Sequence, residues 1–322
     1  MRTEELDRWQ RGDREVWSDA DHEAFEAAFA ALGNTLGADR SGHASQRFET
    51  HAAWDPSVLI GRFSDDGASG LEAAWRTAED TAAELAAGDD ASRHEMVESV
   101  AARVLERCWP LTAAVVAECG VNRFDAAAEI AAGVTALGAS TTVESGRSVV
   151  VQAGLHDAVS GLLAGVSDGF RSGRPVILLP DRSAAFVGEL VHRCVVDALG
   201  RDDLCRLVQG APEASLLTDA RVIAAATPPV GGSVMTVGED DDLDAACETA
   251  FRAAYGFGGQ RPSSLRRLEL AAGAKGAFMN LFMMRVMSAI TDHPWLADVD
   301  IGPTRDAATR DRIVSAAEAL HP

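Results

Sequence analysis

The chain is short of positive charge, of cysteine and of long apolar runs. Against 49 acidic residues stand 29 basic ones, a formal charge of −20, which leaves no bulk attraction to nucleic acid or to an anionic membrane. Lys275 is the single lysine among those basic residues; codon bias toward arginine accounts for the skew and gives it no mechanistic weight. Apolar residues make up 47% of the chain, yet none of their runs reaches the roughly 18 residues that a spanning helix needs. The opening MRTEELDRWQRGDREVW is charged and has no apolar centre, so no secretory leader is expected and the cytoplasm is the expected compartment. The five cysteines, Cys108, Cys119, Cys194, Cys205 and Cys247, are odd in number and lack metal-ligand spacing. They read as buried free thiols in a reducing compartment, with no metal site.

What is present is length and pattern. A chain of 322 residues can bury one large or two medium cores. Ser18-Asp19 is expected to cap a helix with Phe25, Phe29 and Leu32 as its apolar stripe and Gly33 at its end. Asp55-Pro56 marks a turn into a short strand, Val58-Leu59-Ile60. From Ser69 to Gly138 the three-four spacing of Leu71, Ala74, Trp75, Ala78, Val97, Val100, Val104 and Leu105 predicts three helices, with breaks at Gly88-Asp89-Asp90 and Gly120-Val121-Asn122.

From Ser148 the pattern changes to strands alternating with helices. Val149–Val151, Pro175–Leu179, Leu204–Val208 and Val222–Ala226 read as strands, Asp157–Phe170 and Ala184–Leu199 as helices. Continuous apolar strands joined by helices predict a parallel, Rossmann-like sheet covered on both faces. The expected domains are an N-terminal extension over 1–50, a helical plus dinucleotide-binding-like domain over 51–235, and an incomplete catalytic-like α/β domain over 236–322.

The stretch Asp240 to Leu270 runs from an acidic cap through a small-residue helix and an aromatic-glycine turn to Gln260 and a strand-like Leu268-Glu269-Leu270. It resembles the segment that delivers the nucleophilic cysteine in the aldehyde dehydrogenase superfamily, whose motif ends in Gly-Gln-x-Cys. Other landmarks follow in the family's order: Arg93 opening a helix, Glu118-Cys119-Gly120 in place of a Glu-x-Gly turn, Glu129-Ile130 on the next helix, and Asp300-Ile301-Gly302-Pro303 in place of an Asp-x-Gly-Pro turn. The resemblance covers roughly residues 50 to 322. It implies the aldehyde dehydrogenase fold: N-terminal helices, a Rossmann-like parallel sheet and a second α/β domain.

The same resemblance implies that the chemistry has been lost. Gly259-Gln260-Arg261 is followed by Pro262, which can neither attack a carbonyl nor ionise as a thiolate does. The family's base, a glutamate in Glu-Leu-Gly-Gly, corresponds to Pro229 of Pro229-Val230-Gly231-Gly232. The oxyanion donor corresponds to His156 in Gly154-Leu155-His156-Asp157, where the plainer reading is a helix-capping or surface histidine. The adenosine-ribose lysine corresponds to Leu179 in Leu179-Pro180-Asp181-Arg182, and Asp181 would repel a phosphate. Ala226-Thr227-Pro228 replaces a Thr-Gly-Ser turn, and a helix facing the pyrophosphate has no room before Gly231. Pro180, Asp181, Gly210 and Gly231 hold the positions the family uses for its cofactor. No bound cofactor is expected beyond weak NAD(P) binding.

Three functional readings follow. In the first, the chain is a catalytically degenerate homologue acting as a structural or regulatory subunit. In the second, His156, Ser263 and Arg261 serve an altered chemistry on a carbonyl or acyl substrate; the plainer reading makes Ser263 and Ser264 turn serines and pairs Arg261, Arg266 and Arg267 with Asp240–Asp242. In the third, Cys247 serves a residual NAD(P)-dependent oxidoreductase, although it lies inside a helix. The connection at 141–148 is shorter than the family's oligomerisation hairpin, and the chain stops before the strand that pairs with it. A protein partner or second copy is therefore expected on the methionine-rich stretch Gly276–Ile290; the plainer reading of that stretch is a buried helix.

Overall fold

The computed structural model describes residues 6, 9, 10, 12, 14–42, 44–139, 149–210, 223–225 and 233–320. The expected turn 226–228, the stretch 229–232 with Pro229 and Gly231, and the connection 141–148 lie outside them.

Helix α1 (Asp19–Gly33) starts as the sequence predicts. Ser18 and Asp21 form a reciprocal capping box, which satisfies two orphan donors of the first turn. Strand β1 (Ala38–Asp39) and β2 (Arg47–Ala52) flank β3 (Asp55–Ser64) in a small sheet, β1 parallel and β2 antiparallel to it. The expected strand at Val58–Ile60 is thus longer, and its partner β2 crosses the domain boundary expected at residue 50.

Four helices follow rather than three: α2 (Gly67–Ala87), α3 (Asp90–Glu106), α4 (Cys108–Cys119) and α5 (Arg123–Gly138). The unanticipated break falls at Arg107, with no glycine to announce it. Pro110 is the third residue of α4; its ring would clash with a preceding helical carbonyl, so it is accommodated only in a first turn.

The central sheet has the order β6-β5-β4-β7, all parallel, from β4 (Val149–Ala153), β5 (Val176–Pro180), β6 (Cys205–Leu207) and β7 (Ile223–Ala225). Helices α6 (Ser160–Arg171) and α7 (Ala185–Leu199) connect its strands. The period-two alternation of a strand sorts its side chains between faces. Val149, Val151, Val176 and Leu178 join the main core, while Val150, Ile177 and Leu179 pack with Leu71, Trp75 and Ala78 of α2. Gly165 lets α6 sit close, since a Cβ there would fall 2.1 Å from a Val151 methyl.

Beyond the sheet, β8 (Ser233–Val237), α8 (Leu243–Tyr255) and β9 (Leu265–Leu270) form a parallel βαβ unit, followed by α9 (Lys275–Met287) and α10 (Ala307–Leu320). Val237, Cys247, Ala250, Leu265 and Phe278 form its core. Gly120 and Gly302, from the two landmark turns, touch: a Cβ on Gly302 would lie 2.1 Å from the Gly120 carbonyl oxygen. No helix among the described residues is long and apolar enough to cross a membrane.

Candidate functional site

The aromatic-glycine turn after α8 is built from backbone that ordinary residues avoid. Phe257, Gly258 and Gly259 have φ of 54°, 64° and 65°. Glycine adopts this left-handed region freely, whereas Phe257 pays a strain of about 1–2 kcal/mol. A Cβ on Gly259 would lie 2.7 Å from the Ala254 carbonyl oxygen, so this position is closed to side chains. Two groups hold Phe257 in place: Asp125 accepts its backbone N–H at 2.7 Å, and the Arg261 guanidinium lies over its ring, 3.2 Å from the centroid.

Arg261 is the hub of the turn. Its Nε donates to the His156 carbonyl oxygen at 2.7 Å, and its Nη2 donates to Oε2 of Glu129. Glu129 is buried on α5, and its Oε1 accepts the backbone N–H groups of Val159 and Ser160 at 3.0 and 2.7 Å. Burial pushes the Glu129 carboxyl above its ordinary range, with the Arg261 charge opposing. The partner expected for Arg261, the acidic run Asp240–Asp242, is not the one it finds. Asp241 and Asp242 instead accept backbone N–H groups of Gly238, Asp244 and Ala245. Arg266 donates to the carbonyls of Gly259 and Arg261, and Arg267 pairs with Glu269 at 2.6 Å. Helix α8 needs its aspartates for its own N-terminus, which satisfies orphan donors and the dipole together.

His156 lies in a short 3-10 turn, Leu155–Asp157, and is neither a helix cap nor a surface residue. Its Nδ1 is buried with no hydrogen-bond partner among the described residues. Burial, and next the charge of Arg261, push its pKa down to about 4, so the ring is a neutral imidazole near pH 7. Ser263 is exposed, and its carbonyl accepts the Ser233 hydroxyl at 2.7 Å. His156 and Arg261 are thus brought together, while no hydrogen bond joins Ser263 to His156 among the described residues.

All five cysteines are buried and free. Burial raises every one of their pKa values, that of Cys194 to about 11. Cys247 packs in the core of the βαβ unit, against Val237 and Phe278. Among the described residues no group of His, Cys, Asp and Glu could hold a metal ion.

At the end of β5, Leu179 and Pro180 are buried. Asp181 turns back to accept the Ser183 N–H at 2.8 Å and its hydroxyl. Arg182 is engaged by Asp65 and by the Gly210 carbonyl, and its guanidinium lies 4.9 Å from the Phe48 ring centroid. Gly210 has φ of 69°, and a Cβ there would fall 2.4 Å from Asp65 Oδ1.

These landmarks can be set beside known proteins. The family model for the aldehyde dehydrogenase family matches residues 220–321. Among solved structures, 1-pyrroline-5-carboxylate dehydrogenase from Thermus with bound NAD superposes with a TM-score of 0.82 at 20% identity, over 94% of this chain and 70% of that one. The chain has the aldehyde dehydrogenase fold, and the family model matches its sequence over residues 220–321. A NAD-dependent benzaldehyde dehydrogenase from Corynebacterium glutamicum gives 0.76 at 19% identity, over 87% and 71% of the two chains. Proline utilization A from Bdellovibrio bacteriovorus, inactivated by N-propargylglycine, gives 0.78 at 15% identity, over 95% of this chain and 38% of that one. A search of curated proteins by sequence finds no match.

On this aldehyde dehydrogenase fold, one feature escaped the sequence reading. A cavity of about 700 Å³ lies beside the aromatic-glycine turn, bounded by Gly12, Arg14, Asp125, Phe251, Arg261 and Arg285 among others. Asp125 carries a pKa raised to about 6, by burial above all. Its only sequence signal was Asn122 three residues earlier, which caps α5 and donates to Asp125 Oδ2 at 3.0 Å. Nothing in the sequence pointed to Arg14 or Arg285.

Proposed function

We propose that this chain is a non-catalytic member of the aldehyde dehydrogenase superfamily, acting as a structural or regulatory subunit. The observation that carries the reading is the occupancy of the nucleophile turn. Where the family places a thiolate, this chain has Pro262, and the preceding Arg261 is spent on Glu129, the His156 carbonyl and the Phe257 ring. Acyl chemistry needs an activated nucleophile with a base in reach. The thiols here are buried with raised pKa values, and Ser263 lacks the hydrogen bond to His156 that would activate it.

The Thermus relative was solved with NAD, and the same group does not suit the residues described here. At the end of β5 a buried leucine replaces a cationic anchor, the Asp181 carboxylate is negative, and Arg182 is already paired with Asp65. Any NAD(P) binding at this end of β5 is therefore weak.

The subunit part of the reading rests on α9. Only Phe278 of its side chains is buried, unlike the plainer reading of a buried helix, and Met283, Met284 and Met287 are 50%, 63% and 81% exposed. Methionine faces adapt to partner surfaces, and a second protein chain covers this one. The test pairs two measurements on the purified protein: NAD(P)H production with aliphatic and aromatic aldehydes, and native mass. Turnover that survives removal of contaminants overturns the non-catalytic reading. A lone monomer, from its own host as well as after purification, overturns the subunit reading.

A further inference from the structure

The cavity beside the turn is walled by arginines laid flat on phenylalanines. The Arg14, Arg285 and Arg261 guanidinium carbons lie 5.4, 3.7 and 3.2 Å from the ring centroids of Phe124, Phe251 and Phe257, and all six residues line the same space. Stacking of this kind leaves the planar edge of a guanidinium, with its N–H groups, free to bind.

The balance of donors and acceptors at this wall is uneven. Each guanidinium carries five N–H donors. Arg285 uses its Nε on Glu248 and its Nη2 on Asp300, at 2.9 and 2.8 Å. Arg261 uses its Nε and Nη2 on His156 and Glu129. Arg14 Nη2 faces Asp300 at 2.9 Å, yet it is buried without a hydrogen bond among the described residues. The carboxylates are more fully engaged. Asp300 also accepts the Ile290 N–H on Oδ2 at 2.9 Å, and Glu248 takes Arg252 on Oε1 and Arg285 on Oε2. Asp125 takes Asn122 and the Phe257 N–H on Oδ2. The wall therefore offers surplus donors to whatever enters.

We propose that this cavity binds a small organic acid, with the carboxylate on the free N–H edges of Arg14, Arg261 and Arg285 and the apolar body against Phe124, Phe251 and Phe257. Bidentate geometry suits a guanidinium to a carboxylate, and the volume of about 700 Å³ is that of an ordinary small-molecule site. A cationic ligand is disfavoured, because the carboxylates are already paired and the burial that raises Asp125 weakens its charge. The site does not depend on the missing nucleophile, so it stands whether or not the chain is catalytic.

The experiment is calorimetric titration of the full chain with benzoate, phenylacetate and glutarate, using benzamide and phenylacetamide as neutral counterparts of the aromatic acids. The expected result is saturable one-to-one binding of at least one acid with Kd below about 1 mM, and an affinity at least about tenfold weaker for the amides. Arg285→Gln is expected to weaken the acid about tenfold. Because Arg285 also holds Glu248 and Asp300, a second variant separates binding from stability: Ala253→Trp fills the cavity from an exposed wall position without removing a charge, and is expected to abolish binding. Absence of saturable heat from every acid overturns the proposal. So does equal binding of an acid and its amide, or undiminished binding by a folded Ala253→Trp.

Discussion

Arg261 is held by Glu129, a carboxylate 132 residues earlier in the chain, and Glu129 in turn holds the first backbone N–H groups of α6. One ion pair thus couples the aromatic-glycine turn to a helix of the central sheet. Arg261→Met strands a buried carboxylate, and the expected cost is about 3 kcal/mol, at the low end for a broken buried pair because Arg261 is partly exposed. Urea unfolding of Arg261→Met, Glu129→Gln and the double variant checks it. The expected coupling energy is at least about 1 kcal/mol; additive effects would show that the two residues act independently.

The thiols supply a second expectation. Native protein should leave all five cysteines unreactive toward Ellman's reagent over minutes, and unfolded protein should release all of them. Fast reaction of Cys247 in the native state would revive it as a nucleophile. Pro262→Cys should gain a reactive thiol without gaining NAD-dependent aldehyde oxidation, since no base or cofactor anchor accompanies it.

His156 gives a pH signature. Its folded pKa of about 4 lies below the ordinary 6.5, so between those values the unfolded chain binds more protons than the folded one. Stability from this group is complete above pH 6.5 and declines as the pH falls toward 4. Relative to His156→Asn, the wild-type protein should lose on the order of 3 kcal/mol across that window. Parallel urea curves at pH 7 and pH 4.5 measure the difference; a gap that does not change with pH would place the imidazole in water.

The α9 surface can be tested without disturbing the core. Met284→Asp with Met287→Asp should change stability by less than about 0.5 kcal/mol, as at other exposed positions, and should abolish association seen by light scattering or native mass. Association that persists would move the interface elsewhere.

The parallel sheet was legible because its strands are short, wholly apolar and regularly spaced between helices, a pattern that few other structures share. The landmark turns were legible because they need glycine: Gly120 has φ of 73° and lies against the Ala53 and Pro303 side chains, and Gly302 abuts the Gly120 carbonyl. The partners of Arg261 were not, since Asp240–Asp242 lie nearer in sequence and Glu129 becomes a neighbour only when α5 packs beside the turn. The exposure of α9 was legible only as one of two readings: Met, Phe and Leu around a helix suit a buried helix as well as a partner surface, and the sheet beneath it has two strands among the described residues. The cavity arginines were invisible for the simplest reason, because position 14 and position 285 meet only in space.

Asp300 has a bearing on how the chain is made. It accepts Arg285, faces Arg14, and through its carbonyl receives the Asn122 side chain at 2.7 Å. The described central sheet closes with Ile223–Ala225 and can be complete before Asp300 is synthesised. Arg14 meets the Phe124 ring early, but Asp300, the carboxylate it faces at 2.9 Å, is synthesised long after it. Contacts of this sequence separation form late and slowly, so the Arg14 side of the cavity closes after the central sheet is in place.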